Sequence, residues 1–374
     1  MQLREVYVEG YRSLKGIRYQ IDTLSVLVGK NAAGKTNLYR ALALLQAAAD
    51  GSICRKIAEE GGVDSVLFAG GRATEHRHLK IGGVFDGFEY EIEIDLPGEG
   101  EAALELEPMI RSETLRLGYR GTRINLVERK GPLLQLRDDR GGTFQYERRL
   151  LASETALFAV RDHGRFPELA LVRQSMLDWR FYHDIRTDVD APVRTPSLGL
   201  SAPTLSSDGS DLAAVLATIY YVKGDSAPIR AAVADAFPGA ELIVAAHQGK
   251  CRFALRFPEI DRPFAAHELS DGTLRYLYLI GALLSYRPAS FIAINEPEAS
   301  LHTELLPPLA RLIVDAAARS QIWVVTHSEM LAAQIARYSG VMPRLVTKED
   351  GATAIRRGIK ERTPKMPTGL RVPA

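Results

Sequence analysis

Apolar and polar residues alternate at the start of the chain and then give way to a short apolar run. An alternating segment covers residues 3–8, and a second segment over residues 17–28 ends in the apolar run 24–28. Alternation is typical of a strand with one buried face, whereas a short continuous run indicates a strand buried on both faces. The Leu- and Ala-rich stretch that follows predicts a helix from about Lys35 to Ala49.

The middle of the chain has a different pattern. Over residues 78–147, short alternating segments are separated by Gly, Pro and Asp pairs, which predicts an antiparallel meander with one solvated face. Residues 153–187 favour helix and contain an aromatic cluster, and residues 188–209 have the composition of a long loop. The further elements expected in this region are helices at about 211–222 and 226–236 and strands near 240–246 and 251–257.

From Leu269 onward, helical patterns alternate with short apolar runs. The predicted order is a helix, a strand at Phe291–Ile294, a helix at about 303–319, a strand at Ile322–Val325 and a helix at about 328–338. Strands that alternate with helices imply a parallel sheet covered on both faces. Residues 350–374 are basic and contain Pro and Gly, a composition typical of a disordered segment.

Charge and composition narrow the class of protein only slightly. The 374 residues include 47 Lys and Arg and 46 Asp and Glu, so the net charge of +1 gives no global field for nucleic acid or anionic membrane. Cys54 and Cys251 have no metal-ligand spacing, and we expect two reduced thiols. The N-terminus lacks an apolar signal region and the run 277–284 is too short to span a bilayer, so we expect a cytoplasmic protein without a membrane segment.

One segment matches a motif with a defined chemistry. Residues 29–36 read GKNAAGKT, which fits G-x-x-x-x-G-K-[ST] between a predicted buried strand and a predicted helix. Curled backbone N–H groups and the helix N-terminus then form a concave site for phosphate oxygens. We expect Lys35 to reach the β- and γ-phosphates of ATP and the Thr36 hydroxyl to bind Mg²⁺. The predicted nucleotide-binding residues of this loop are Gly29, Lys30, Asn31, Ala32, Ala33, Gly34, Lys35, Thr36 and Asn37.

Two predicted strands of the second half end in residues suited to phosphate chemistry. The strand 291–294 runs into Asn295 and Glu296, and the strand 322–325 is followed by Thr, His327 and Ser. Beside a phosphate loop, Glu296 would orient or deprotonate the attacking water, and His327 would contact the γ-phosphate or hold that water. Taken alone, Glu296 is also explained as a helix-start acid and His327 as a capped turn histidine.

The segment Leu269–Thr273, with the sequence LSDGT, precedes a predicted helix. Ser270 or Asp271 is a credible N-cap, and capping alone would explain the segment. The order along the chain gives it more weight. The phosphate loop comes first, followed by LSDGT, the strand ending in Asn-Glu and the strand ending in Thr-His.

This order resembles the ATP-binding-cassette (ABC) ATPases, specifically the soluble RecF/SMC/OLD-like branch with its AAA_21-like predicted ATPases of the AAA family. The likeness is carried by GYRSLKGIRYQI and LVGKNAAGKTNLYRAL within residues 10–42, and by HELSDGTLRYLYL, FIAINEPEASLH and WVVTHSEML within residues 267–331. It implies an α/β P-loop NTPase with an ABC-ATPase-like head, a mostly parallel core sheet, an antiparallel β subdomain and a helical insertion. The expected divisions are 1–74 and 261–345 for the two parts of the core, 75–150 for the β subdomain, 151–260 for the helical or arm insertion, and 346–374 for a basic tail.

The resemblance also implies that two copies pair head to tail around ATP and Mg²⁺. Ser270 and Gly272 would contact the γ-phosphate held by the phosphate loop of the other copy, because a hydroxyl and a helix N-terminus make an anion site. By the same likeness, Glu296 corresponds to the catalytic glutamate and His327 to the switch histidine. Residues 298–302 correspond to the loop that crosses between paired copies.

Several positions depart from the family pattern or have another explanation. Asn295 stands where most members have an aspartate that holds a Mg²⁺-bound water, and losing its charge predicts weaker Mg²⁺ binding or turnover. Asp271 and Thr273 replace the Gly and Gln usual in transporter ATPases, which favours the soluble branch and places a carboxylate near phosphate. Gln174 is a candidate for the metal-binding glutamine, although an ordinary surface residue explains it better. Arg12 lies in the family's N-terminal hairpin and could pair with phosphate or the base edge, although a solvated strand-end arginine explains it as well.

The long segment between the two halves carries weaker signals. Residues 184–190 contain three aspartates, Asp184, Asp188 and Asp190, which a solvated loop explains better than a metal site. The segment 150–240 is predicted to be an arm that contacts a partner, and its aromatic cluster Trp179–His183 is either part of that contact or core. Sustained heptads are missing from the sequence, and only 47 residues follow His327, so we expect neither an SMC-type coiled coil nor a built-in nuclease.

Three functions are compatible with these patterns. The first is an ATPase that dimerises on ATP and acts on DNA or an effector protein, in DNA maintenance and repair or in phage defence. The second is an ATP-gated dimerisation switch with negligible turnover, because Asn295 weakens the metal site. The third is the motor subunit of a membrane transporter, which the LSDGT segment and the insertion at 78–260 disfavour.

Overall fold

The computed structural model of the protein describes residues 1–68, 70, 78–95, 107–119, 121–222 and 224–357. The strands are β1 Leu3–Tyr11, β2 Leu14–Gln20, β3 Leu24–Val28, β4 His78–Phe85, β5 Phe88–Asp95, β6 Met109–Tyr119, β7 Thr122–Lys130, β8 Leu133–Arg137, β9 Thr143–Gln145, β10 Arg180–Tyr182, β11 Ser197–Leu198, β12 Glu241–His247, β13 Lys250–Arg256, β14 Phe264–Ala265, β15 Phe291–Asn295, β16 Gln321–Thr326, β17 Arg344–Glu349 and β18 Ala352–Arg357. The α-helices are α1 Lys35–Asp50, α2 Ile53–Glu59, α3 Val63–Val66, α4 Ala156–Ala159, α5 Pro167–Leu177, α6 Leu212–Ala217, α7 Ala227–Ala236, α8 Asp271–Leu284, α9 Leu306–Ala317 and α10 Glu329–Ser339.

The core sheet has the order β10-β15-β16-β3-β17-β18 and is parallel except for the last strand. Strand β15 is apolar on both faces because each face packs into a different hydrophobic cluster. Phe291 and Ala293 pack into one hydrophobic cluster, and Ile292 and Ile294 pack into the other. Successive side chains of a strand point to opposite faces, so a strand covered on both sides is apolar throughout. The predicted parallel sheet is therefore confirmed.

Helix α1 fills the space between this sheet and a second, antiparallel sheet. Its residues Leu38, Leu42 and Leu45 are buried, and the run Ala47–Ala49 is buried as well. The small alanine side chains let neighbouring elements approach closely, while the leucines fill the remaining volume. Because α1 is wedged between two layers, the first residues of this helix are held firmly at one edge of the core sheet.

The antiparallel sheet has the order β2-β1-β4-β5-β6-β7-β8-β9. The described part of the predicted meander is thus confirmed, and residues 96–106 of that prediction lie outside the described residues. The N-terminal strands β1 and β2, which the sequence analysis placed with the core, extend this sheet through the pairing of β1 with β4. The N-terminal hairpin therefore joins the antiparallel layer rather than the parallel one.

The insertion between the two halves is less helical than its sequence pattern predicts. The expected helix at 211–222 is α6 followed by a π-helical turn, Thr218–Val222. Residues 180–182, expected within a helical region, form β10 at the edge of the core sheet. Trp179 is buried against Phe85 and Phe291, so this aromatic residue belongs to the core rather than to an exposed arm.

The C-terminal segment also differs from its prediction as a basic tail. Residues 344–357 form the hairpin of β17 and β18, and β17 pairs with β3 directly before the phosphate loop. Residues 358–374 lie outside the described residues. None of the helices described in the structure is long and apolar enough to cross a membrane.

Candidate nucleotide site

The phosphate loop connects β3 to α1 and depends on its glycines. Gly34 has a φ of 97°, a left-handed conformation that glycine adopts without strain. A side chain at Gly34 would collide with the Thr353 hydroxyl, and one at Gly29 would collide with the carbonyl of Val346. Both neighbours belong to the hairpin β17–β18. The loop therefore needs glycine both for its curl and for its close packing against this hairpin.

The side chain of Lys35 is drawn back over the loop. Its ammonium group donates hydrogen bonds to the carbonyls of Gly29, at 2.5 Å, and Lys30, at 2.8 Å. Burial lowers the pKa of Lys35 from its ordinary value, and the carboxylates of Glu296 and Glu298 oppose this shift. The charged ammonium group is suited to binding phosphate oxygens, whereas the two carboxylates beside it would repel phosphate unless a cation or a proton offsets their charge.

The ends of β15 and β16 bring the other predicted side chains to the same place. Glu296 follows β15 in a left-handed conformation with a φ of 50°, and its N–H donates to the carbonyl of Val325 at 2.7 Å. His327 follows β16, with its Nδ1 3.6 Å from a carboxylate oxygen of Glu296. Glu296, His327, Lys35 and Thr36 all line one cavity of about 430 Å³. Residues from both halves of the sequence thus meet at a single site.

Glu298 has a role that sequence reasoning missed. Its buried Oε1 accepts hydrogen bonds from the Thr326 hydroxyl at 2.5 Å and from the N–H groups of His327 at 3.0 Å and Ser328 at 3.1 Å. The same oxygen lies 3.1 Å from Nδ1 of His327. The sequence analysis had placed Glu298 only in a loop that crosses between copies. In this chain, its carboxylate fixes the turn that presents His327.

Asn295, the last residue of β15, is buried beside a residue that was not foreseen as part of the site. Its amide nitrogen lies 2.8 Å from Nδ1 of His183, which directly follows β10. Its Oδ1 is buried and has no hydrogen-bond partner among the described residues. The parallel pairing of β10 with β15, rather than a pattern in the sequence, brings His183 to this position, because the two strands end at the same edge.

Gln174, the earlier candidate for the metal-binding glutamine, lies elsewhere. It is exposed on α5, and its neighbour Arg173 donates to the carbonyl of Ala49, near the end of α1 opposite Lys35. An α-helix rises about 1.5 Å per residue, so the ends of α1 are roughly 20 Å apart. The structure therefore contradicts the placement of Gln174 at the site, and His183 occupies the strand end beside Asn295 instead.

The LSDGT turn forms the N-terminus of α8. The Ser270 hydroxyl accepts a hydrogen bond from the N–H of Thr273 at 3.3 Å, so the N-cap prediction is confirmed. A Cβ atom added at Gly272 would lie 2.9 Å from the carbonyl of Ser300, so glycine permits a close approach to the loop after Glu296. The described residues that line the cavity around Lys35 do not include Ser270 or Gly272. The turn is exposed beside the site of its own chain.

Arg275 connects this helix with the loop after β15. Its buried guanidinium donates to the carbonyl of Glu296 at 2.8 Å and to that of Ile185 at 3.4 Å. Burial lowers the pKa of Arg275, and the Glu298 carboxylate is the largest of the effects that oppose the shift. The first turns of α8 and the backbone of Glu296 are therefore held in a fixed relation.

Arg12 is engaged away from the cavity. Its guanidinium forms an ion pair with Glu60 at 2.6 Å, and the Tyr11 hydroxyl donates to the same carboxylate. Arg12 is not among the described residues that line the cavity. A contact between Arg12 and phosphate would require this ion pair to open, so its predicted nucleotide-binding role gains no support from the geometry.

The C-terminal hairpin contributes to the site, which sequence reasoning also missed. A chain of hydrogen bonds runs from the Asn37 amide to the Ser13 hydroxyl, on to the Thr353 hydroxyl, and ends at the carbonyl of Ala33. The exposed Lys348 of β17 lines the cavity as well. The charged composition of this segment had suggested a tail, but a short edge hairpin carries the same composition.

The site has features that fit a nucleotide and a divalent cation. The phosphate loop presents N–H groups at the start of a helix, where anions bind readily. Thr36, which lines the cavity, offers a hydroxyl ligand for a divalent cation, whereas Asn295 is buried and is not among the described residues that line the cavity. No group of three or more His, Cys, Asp or Glu side chains in the described ranges could hold a metal by itself. A cation here would need phosphate and water oxygens as further ligands.

Fold and site together define an ABC-type P-loop ATPase head. The sequence profile of the family described as "AAA domain, putative AbiEii toxin, Type IV TA system" matches residues 24–333, and the chain belongs to this family. A comparison with curated proteins finds no match.

Two solved structures share the fold. An SMC head bound to the C-winged helix domain of ScpA is 14% identical, with a TM-score of 0.53 over 95% of this chain and 97% of that chain. An SMC head with an extended coiled coil, bound to the C-terminal domain of ScpA derived from Pyrococcus furiosus, is 13% identical, with a TM-score of 0.51 over 94% of this chain and 95% of that chain. At these identities the likeness establishes the fold alone, that of an SMC-like P-loop head.

The hydrogen-bond chain through Thr353 generates a first prediction. Thr353→Val keeps the side-chain shape but removes the hydroxyl that supports Ala33, so the phosphate loop loses one fixed contact. Affinity for ATP should fall about 3- to 10-fold, the usual effect of one hydrogen bond, as measured by titration with a fluorescent ATP analogue. Thr347→Val, on the preceding strand of the hairpin, is the matched control and should bind ATP as the wild type does. Equal affinity of the two variants would contradict the role of Thr353.

Proposed function

We propose that this chain binds ATP with Mg²⁺, pairs head to tail with a second copy around the nucleotide, and hydrolyses ATP. The observation that carries the proposal is the convergence of Lys35, Glu296 and His327 on one cavity, while the Ser270 turn is presented outside that cavity. A site assembled from both copies explains both placements.

Each side chain has a distinct role in this proposal. Lys35 and the loop N–H groups bind the β- and γ-phosphates, Thr36 would hold the cation, and the unpartnered Oδ1 of Asn295 would accept a hydrogen bond from a water on that cation. The cation supplies charge that offsets the negative charge building up on the phosphates. Glu296 orients a water for attack on the γ-phosphorus. The bond to the leaving ADP oxygen breaks as the new P–O bond forms, which yields ADP, inorganic phosphate and a proton.

His327 is held in a position from which its ring would contact the γ-phosphate. Its backbone N–H donates to Glu298, and its ring Nδ1 lies 3.1 Å from the carboxylate of Glu298 and 3.6 Å from that of Glu296. A ring in this position can donate to a phosphate oxygen or position the attacking water. The buried Glu298 limits the orientations of the turn, so little ordering remains to be done when nucleotide binds.

The turn at Ser270 is suited to close over nucleotide bound to the second copy. It combines an exposed hydroxyl with the N-terminus of the 14-residue helix α8. These two features attract anions, and neither Ser270 nor Gly272 is among the described residues that line the cavity of their own chain. The loop after Glu296, with Ser300 in a left-handed conformation, packs directly against this turn. Pairing would thereby bring the loop of residues 298–302 to the boundary between the copies.

One observation favours an ATP-gated switch with little hydrolysis as the second candidate. The residue at the end of β15 is an amide, hydrogen-bonded to His183, rather than a carboxylate. An amide gives no charge to the cation site, so Mg²⁺ binding or turnover would be weaker than with aspartate. Dimerisation on ATP does not depend on rapid hydrolysis and would remain.

The cellular role is proposed from the family and the shared fold. We place the protein in the cytoplasm, acting in DNA maintenance and repair or in phage defence, with DNA or an effector protein as its partner. The family description names a toxin of a toxin–antitoxin system, and both solved relatives are heads bound to a ScpA domain. Measuring whether DNA stimulates ATP turnover separates a DNA partner from a protein partner.

Lys35→Ala tests the phosphate loop. The variant loses the buried cation and should bind ATP roughly 100-fold more weakly, because charge-assisted hydrogen bonds to phosphate are lost. Isothermal titration measures the affinity. Lys250→Ala removes an exposed lysine of β13, outside the loop, and should change affinity little. Retained affinity in Lys35→Ala would count against this reading of the loop.

Glu296→Gln separates the two candidate functions. The substitution preserves shape and removes the group that orients water, so phosphate release should fall about 100-fold or more while ATP still binds and dimers accumulate. Glu304→Gln, at an exposed acid beyond the same loop, is the control and should leave turnover unchanged. If wild type and Glu296→Gln release phosphate equally slowly, the switch function replaces hydrolysis.

Ser270→Arg tests pairing. A long cation at the exposed turn should leave ATP affinity unchanged but block the approach of a second copy, so the protein stays monomeric with ATP. Sedimentation velocity with ATP, in the Glu296→Gln background, measures this directly. Ser201→Arg places the same side chain at another exposed serine and should permit dimers. A dimer formed by Ser270→Arg as readily as by the control would exclude this turn from the interface.

A further inference from the structure

We propose that Arg194 is a positioning residue of the LSDGT turn, which neutralises Asp271 and fixes the turn in the shape that receives the γ-phosphate bound to a second copy. This inference rests on the proposed function, since it concerns the turn that acts across the dimer. It goes beyond that function by assigning a role to a residue from a distant part of the sequence, and by explaining how a carboxylate is tolerated beside phosphate.

Arg194 surrounds the turn with hydrogen bonds. Its Nη1 donates to the carbonyls of Leu269 at 2.9 Å and His267 at 3.1 Å, and more weakly to that of Ala266 at 3.5 Å. Its Nη2 forms an ion pair with the Asp271 carboxylate at 2.7 Å. The planar guanidinium can reach carbonyls and a carboxylate at the same time because its donors point in fixed directions. One side chain therefore sets the path of the backbone into α8.

The charge of Asp271 would otherwise oppose the proposed function. It is the first residue of α8, where a carboxylate stabilises the helix N-terminus, and its side chain is 59% exposed. A carboxylate next to an approaching triphosphate repels it, by roughly tenfold in affinity at separations of about 6 Å. Arg194 balances this charge at the contact point. The turn then keeps its anion-binding N–H groups and hydroxyl without a net negative charge.

The geometry favours a fixed role over that of an arginine that swings to phosphate. The side chain of Arg194 is only 11% exposed. Its Nε donates to the carbonyls of Thr187 at 2.8 Å and Asp188 at 3.0 Å, in addition to the contacts with the turn. Moving the guanidinium to a phosphate would break these bonds together and leave the carbonyls that it pairs, including that of the buried Leu269, without this donor. Arg194 therefore shapes the turn from its own side of the interface.

Arg194 also connects the LSDGT turn with the nucleotide site of its own chain. Thr187 and Asp188 belong to the loop that follows β10 and His183, and Arg275 donates to the carbonyl of Ile185 in the same loop. Arg275 in turn binds the carbonyl of Glu296. Two arginines thus hold neighbouring carbonyls of the loop after β10. The turn offered to a second copy and the glutamate serving the chain's own nucleotide share this support.

The test measures ATP-driven dimerisation by sedimentation velocity in the Glu296→Gln background. Arg194→Ala leaves the Asp271 charge unbalanced and the turn unsupported, so the dimer should weaken about 30-fold or more, while ATP affinity of the monomer stays unchanged. Asp271→Asn alone leaves the positive charge of Arg194 unbalanced at the turn, which attracts the triphosphate, and should tighten the dimer several-fold. The double variant Arg194→Ala with Asp271→Asn should recover a large part of the loss, which a purely structural role of Arg194 would not produce.

Arg186→Ala is the matched control, because Arg186 forms an exposed ion pair with Asp188 in the same loop and touches no part of the turn. It should dimerise as the parent does. A parent protein that stays monomeric with ATP overturns both this inference and the proposed pairing. A parent that dimerises, combined with an Arg194→Ala variant that dimerises equally well or a double variant no better than Arg194→Ala, overturns the role of Arg194 alone.

Discussion

Parallel pairing of β15, β16 and β3 is the constraint on which the site depends. Asn295 pairs with Val325 and Thr326 pairs with Val28, so the three strands end at nearly the same level. The carboxyl ends of parallel strands share one edge of a sheet, and the loops that follow them meet there. A slip of one residue in β16 would turn its apolar side chains to the opposite faces and displace His327 from Glu296. The apolar faces on both sides of the sheet therefore fix the register of the strands, and this register positions Glu296 and His327 next to each other.

Much of this arrangement could be predicted because its signals are local. The curl of the phosphate loop follows from Gly29 and Gly34, and the strands before it and before Asn295 are short apolar runs that fit no other element well. His183 could not be predicted in the same way. The residues before it are mainly aromatic, a composition equally compatible with helix or core, and only pairing with β15 makes them a strand. The predicted Gln174 followed from the family pattern and had no structural signal of its own.

The roles of the C-terminal hairpin and of Glu298 were hidden for a different reason. Thr353 supports the phosphate loop only because β17 pairs with β3, which brings residues 320 positions apart into contact. Glu298 reads as one more acid in a polar loop, yet it is buried because three donors of the next strand end converge on one of its oxygens. Buried carboxylates are stable when such hydrogen bonds offset the loss of water. The sequence contains the residues, but the partners that decide their roles are supplied by the fold.

Contacts from distant parts of the chain also explain why the LSDGT turn is held firmly although it is exposed. In the proposed pairing the turn would bind an anion held by a second molecule, and such a site cannot rely on that molecule to order it, because the ordering cost would weaken pairing. Arg194, Gly272 and Arg275 provide the order within the chain, through carbonyl contacts, close packing against Ser300 and the bond to the carbonyl of Glu296. In the proposed dimer, the turn of one copy closes over the nucleotide of its partner. Through these contacts, that closure would affect the position of Glu296 in the copy that carries the turn. Such coupling is reciprocal, so nucleotide around Glu296 would in turn favour the closed position of the turn.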